Sequence, residues 1–314
     1  MKAAIKNEII KLWLRKKIVV LLIISIGMMI LSATLSHFDS KEVKMASNEI
    51  YEMEKQSLKS LYSNKEIDST YIERSLEIID TKMVHNIPAE GYQTGAMLLF
   101  EEITGGFFIS IILPFAVIIL CSDMIVGEQT TGSLKSLLFS PLGRGRLLFS
   151  KILAVFFVLL GLSIFYFFLE YIITGTLYRF GGWTDQIVLT LINPGIYSVW
   201  QGIVLGFLLL IISMTFYILL AIFFSVIFNN VMSSILGFIT FVLIQYTSPL
   251  YMEKIPYLYY SVFPNVKLAL FLEGEGATQP YGVSLITAIV VIGLAIVLLL
   301  YLSMVIFKKR DIFV

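Results

Sequence analysis

The sequence contains one cysteine, Cys121, and two histidines, His37 and His85. A single cysteine excludes an intrachain disulfide and any cysteine-based metal cluster, so no bridge braces the parts outside a membrane. Neither histidine belongs to an H-E-x-x-H pattern, which excludes a zincin-type metal centre. The chain has no G-x-x-x-x-G-K-[ST] phosphate loop, so it does not itself bind and hydrolyse ATP in the P-loop manner. Charge is scarce, at 14% of 314 residues. The centres of the long apolar runs carry none, which removes the carboxylate or histidine that ion-coupled carriers and proton relays usually keep deep in the bilayer.

What the sequence has is apolar surface: 58% of residues are hydrophobic, outside the range of soluble domains. Runs long enough to cross about 30 Å of hydrocarbon fall at 18–36, 103–121, 152–175, 202–228, 231–247 and 282–307. Each must be helical, because lipid offers no partner to free backbone groups. The expected fold is an all-α integral membrane protein with six transmembrane helices. The first run is too long for the apolar core of a signal peptide and lacks a good cleavage site, so it is expected to stay as a span.

The basic residues set the orientation. Lys2, Lys6, Lys11, Arg15, Lys16 and Lys17 precede the first span. Lys135, Arg144, Arg146 and Lys151 join the second to the third, and Lys308, Lys309 and Arg310 follow the last. The positive-inside rule places all three groups in the cytoplasm, with both termini inside and residues 308–314 as a tail. The turn at Asn229 and Asn230 is then cytoplasmic, and the connections near Trp183 and Glu253 are external.

Within residues 1–17, Ile5, Ile9, Leu12 and Trp13 share one helical face and Lys2, Lys6 and Lys11 lie mostly on the other, as in an interfacial helix. Residues 37–102 form an acidic external segment whose spacing predicts two helices in a hairpin. This segment is read either as a substrate gate or partner contact, or as a solvated connector. The pair Glu101 and Glu102 resembles that of membrane-embedded glutamic proteases, but Gly106 stands where such a motif needs Arg, and no enzymatic activity is expected. Glu170, late in the third span, is expected near the outer interface within reach of water. Pro114 predicts a kink in the second span.

Between the second and third spans, residues 122–151 include GEQTTGSLKSLLFSPLGRGRLLFSK. Leu134, Leu137 and Leu138 fall on one face of a short helix after Thr130, Thr131 and Gly132, and Pro141 begins a turn. A plain interfacial helix would explain the leucines and arginines, but gives no reason for Gly127 and Glu128 followed by Thr131, Gly132, Ser133 and Leu134. In order and spacing, Glu128, Thr131, Gly132, Ser133, Leu134, Leu137, Leu138, Pro141, Arg144 or Arg146, and Lys151 resemble the first cytoplasmic loop of the membrane subunits of type-2 ABC exporters. Residues 255–272, within 251–281, resemble the apolar re-entrant hairpin that this family places before its last span.

The resemblance implies a permease subunit in a bacterial-type cell membrane, working with a cytoplasmic ABC ATPase and a second permease copy or sibling. It implies no cofactor in this chain, ATP with Mg in the partner, and no nucleic acid. Gly127, Glu128, Thr131, Gly132, Ser133, Leu134, Pro141, Arg144, Arg146 and Lys151 become the ATPase-coupling residues, with Glu128 offering its carboxylate to a donor on the ATPase. The long external segment is unlike that of compact polysaccharide exporters. The expected cargo is an amphipathic or hydrophobic compound such as an antimicrobial peptide, toxin or drug. The alternatives are sodium extrusion and a non-transporting sensor or immunity protein.

Overall fold

A computed structural model describes residues 2–39, 47–63, 69–88, 94–122, 124–130, 143–191, 193–228, 230–252, 254–274, 276 and 282–309. Helix α1 (Lys2–Leu14) ends in a tight turn at Lys16, whose φ of 56° is left-handed, and α2 (Lys17–Asp39) starts immediately after it. That turn frees α1 to pack against a later helix instead of extending α2. Helices α3 (Ser47–Ser63) and α4 (Ser69–Val84) lie side by side. Lys55 Nζ reaches Asp80 Oδ1 at 2.6 Å, and the buried Tyr51 hydroxyl donates to the Ile87 carbonyl at 2.8 Å.

The next span is one long helical path, Gly95–Glu128, interrupted part of the way along. Its pieces are α5 (Gly95–Thr104), a π-helical stretch at Phe108–Ile112, α6 (Leu113–Cys121) and α7 (Val126–Thr130). The irregular turn precedes Pro114, which can neither donate an N–H nor accommodate the carbonyl one turn back. The Tyr246 hydroxyl donates to the freed Ser110 carbonyl. The expected kink is therefore a π segment whose backbone is satisfied from another helix.

After α8 (Arg144–Leu177) comes a two-stranded antiparallel ribbon, β1 (Gln186–Thr190) and β2 (Pro194–Ser198), with Gln186 opposite Ser198 and Thr190 opposite Pro194. The ribbon adds strand structure to a fold expected to be wholly helical. Ser198 and Gln201 then form a capping box that starts α9 (Val199–Ile227). Helix α10 (Val231–Thr247) starts from Asn230, whose side chain accepts from the Met232 N–H. The chain ends in a short helix α11 (Val262–Asn265) and the long α12 (Leu285–Lys309). Five stretches are long and apolar enough to cross a membrane: Gly95–Glu128, Arg144–Leu177, Val199–Ile227, Val231–Tyr251 and Leu285–Lys309. The apolar part described for α2, Lys17–Ile30, is shorter.

Helix α9 is central and packs on α5, α8, α10 and α12. Short helical turns before α12 enter this core, with Val266, Leu268, Ala269, Phe271 and Leu272 fully buried. Irregular backbone survives in such a setting only if its carbonyls find donors. Ser213 Oγ donates to Val266 O at 2.7 Å, Thr190 Oγ1 to Phe271 O at 2.6 Å, and Asn265 Nδ2 to Tyr259 O at 2.7 Å.

Candidate functional site

Four charged side chains from three distant parts of the chain close a ring where α1, α7 and the start of α8 meet. Lys11 Nζ lies 2.9 Å from both Glu8 Oε1 and Glu128 Oε1. Lys151 Nζ lies 2.9 Å from Glu8 Oε2 and 2.8 Å from Glu128 Oε2. Each carboxylate thus bridges two ammoniums and each ammonium bridges two carboxylates. The Lys151 side chain is 0% exposed, Glu128 3%, Glu8 6% and Lys11 38%. Burying one such charge alone would cost several kcal/mol, roughly, but the four sum to zero and meet at hydrogen-bonding distance. Burial alone would push the Glu8 carboxyl up, yet Lys151 and Lys11 together hold it below its ordinary value. Burial likewise pulls Lys11 down, and the hydrogen bonds it donates to Glu128 and Glu8 overcome this and raise it.

The local sequence explains how each member arrives. In α1, Glu8 is one turn before Leu12, and both are buried against α8 while Trp13 is 58% exposed. The apolar face therefore runs through Leu12 without Trp13, and it carries an acid. The first turn of α8 is tied to the end of α12, since Arg144 Nη1 donates to Lys308 O at 2.9 Å. Carbonyls at a helix C-terminus lack intrahelical donors, and an arginine is a natural partner.

Of the predicted coupling residues, Glu128 and Lys151 come together directly. Gly127 precedes Glu128 on α7, Arg144 goes to α12, and Arg146 is exposed on α8. Thr131, Gly132, Ser133, Leu134 and Pro141, with Leu137 and Leu138, lie outside the described residues. The resemblance has Glu128 offering its carboxylate to a donor on the ATPase; here both of its oxygens lie beside lysines of the same chain and the side chain is buried. Glu8 and Lys11 were missed as members. The available signal was an acid within the apolar stripe of an otherwise lysine-rich helix.

A second polar site lies between α5 and α8, where Glu102 Oε1 accepts from Phe108 N at 2.7 Å and from the Tyr166 hydroxyl at 2.9 Å. The Glu102 side chain thus bridges the break in the helix and caps its restart. Glu170, one turn beyond Tyr166, is 4% exposed, and its Oε2 has no hydrogen-bond partner. Glu170 is therefore enclosed, contrary to the expectation of a carboxylate in reach of water.

Residues 3–312 match the family described as ABC-2 family transporter protein. No curated protein matches the chain.

Proposed function

The chain belongs to the ABC-2 transporter family, and from that premise we propose that it is the permease subunit of an ATP-driven exporter whose coupling element is the loop 122–151. The ring of Glu8, Lys11, Glu128 and Lys151 carries this reading. It clamps the start of the loop at Glu128 to the base of α8 at Lys151 and to α1, so a push on the loop moves these three elements as one body. In this reading Glu128 acts as an internal strut. Contact with the ATPase falls to residues 131–142 and to the exposed Arg146.

The same reading has six spans, counting α2, with both termini and the ring in the cytoplasm and the α3–α4 pair outside. It has two permeases and two ATPases per transporter, and an amphipathic or hydrophobic compound as cargo. The test is copurification of the full chain with an ABC ATPase, followed by ATP hydrolysis that responds to a candidate cargo. A chain that captures cargo without an ATPase would instead be a sensor or immunity protein. Sodium extrusion gains support from one observation, the enclosed Glu170 with an unpartnered oxygen. Sodium-stimulated hydrolysis lost in Glu170→Gln would favour that second reading.

A further inference from the structure

Lys267 precedes the 3-10 turn Leu268–Glu273 and carries a positive charge into the bundle next to the π segment. Its Nζ donates to Ser110 Oγ at 2.8 Å and sits 4.8 Å from the centre of the Tyr246 ring. Tyr246 in turn donates to the Ser110 carbonyl, so the three side chains form one connected unit. Lys11 and Lys151 each meet two carboxylates, whereas no acidic group contacts Lys267 among the described residues. An ammonium has three donors, and one of them is used on Ser110. An unneutralised charge held against the middle of an apolar span is expensive and is retained mainly where it meets something.

Tyr246 also belongs to an apolar stripe that is exposed among the described residues. On α10, Ile239, Leu243 and Tyr246 are 38%, 60% and 44% exposed, at the spacing of four and three that keeps side chains on one helical face, and Leu250 in the 3-10 turn Ser248–Tyr251 that follows is 77% exposed. The ammonium therefore sits beside a run of open hydrocarbon surface.

We propose that Lys267, Ser110 and Tyr246 form a headgroup site for an anionic amphiphile, a carboxylate or phosphate on a hydrocarbon body that lies along the exposed stripe of α10. The anion completes the charge that the chain leaves open, Ser110 holds the ammonium in place, and the Tyr246 ring flanks it. As a statement about cargo this rests on the export reading, but as a binding site it stands without it.

The test is binding to the full chain in nanodiscs of zwitterionic lipid without any ATPase, so that failure of the export reading leaves the result intact. Oleate supplies the carboxylate, oleyl alcohol the same chain without charge, and phosphatidylglycerol a phosphate from the bilayer itself. Oleate should bind saturably, with oleyl alcohol about tenfold weaker or worse. Lys267→Gln should lose about the same factor for oleate, and Lys267→Arg should recover most of it. Phosphatidylglycerol that displaces oleate identifies a lipid site, and oleate that resists displacement identifies a site for a free amphiphile; both uphold the headgroup chemistry. Equal binding of oleate and oleyl alcohol would overturn it, as would unchanged oleate binding in Lys267→Gln when Lys267→Arg shows the site is folded.

Discussion

Lys151 Nζ sits 2.9 Å from Glu8 Oε2, linking residues 143 positions apart in the chain. The contact fixes the N-terminal helix on the base of α8. Through Glu128, 2.8 Å from the same ammonium, it also fixes the end of the long interrupted span. An arrangement of this kind adds little as a surface decoration, but buried and closed on itself it specifies how three elements sit together.

Removing Lys151 should be far more damaging than removing Lys11. Lys151→Met leaves two buried carboxylates with one partly exposed lysine between them, and should cost about 3–5 kcal/mol. Lys11→Ala removes a side chain that is 38% exposed, and should cost about 1 kcal/mol or less. Thermal unfolding of the full chain in one detergent checks both, and equal losses would contradict the argument from the different burial of the two lysines.

The ring also predicts a pH profile. Glu8 has its folded pKa lowered, so its contribution is present above the ordinary value of 4.5 and is lost as pH falls through the lowered one. Lys11 has its folded pKa raised, so its contribution is present below 10.5 and is lost as pH rises through the higher value. Stability from these two groups should be level across the neutral range and fall on the acid side below 4.5. In Glu8→Gln the acid limb should be shallower in the same unfolding measurement, and an unchanged limb would remove Glu8 from the account.

Gly106 should be intolerant of any side chain. A Cβ there would lie 2.0 Å from Glu102 Oε2 and 2.7 Å from Glu102 Cα, forcing away the carboxylate that bridges the helix break. Gly106→Ala should destabilise by about 1–3 kcal/mol. Gly293→Ala is the control, since a Cβ at that position of α12 meets nothing within 4 Å, and it should be neutral or slightly stabilising. Similar melting temperatures for the two variants would mean that the break relaxes freely.

Hydropathy made the apolar helices legible because a span needs only length and a lack of charge. It did not show that α5 begins at Gly95, since Glu101 and Glu102 interrupt the apolar run; the Glu102 charge is accommodated by Phe108 and Tyr166. The ribbon escaped notice because QIVLT and PGIYS are each five residues long beside far stronger helical signals, though β-branched residues followed by Asn193 and Pro194 were a usable cue. The loop motif found Glu128 and Lys151; the acid in the apolar stripe of α1 marks Glu8 as unusual, but its partners came only from the fold. The pairings of Glu8 with Lys151 and of Lys11 with Glu128 span more than a hundred positions, and no local periodicity encodes them.

Topology is tested with single cysteines in a Cys121→Ala background. Ser60→Cys on α3 and Lys254→Cys after α10 should react with an impermeant thiol reagent in intact cells, and Ser136→Cys only after permeabilisation. Labelling of Ser136→Cys in sealed cells would invert the assignment of sides and place the ring outside.

If the ring transmits motion from the loop to the spans, transport per ATP hydrolysed in the reconstituted permease and ATPase complex depends on it. Glu128→Gln and Lys151→Met should each lower that ratio about tenfold or more, and the double variant should fall no further than the worse single one, because residues acting as a unit are not additive. Lys6→Ala, exposed on α1, should keep the wild-type ratio. A wild-type ratio in Glu128→Gln, or losses that multiply as for independent sites, would contradict the account.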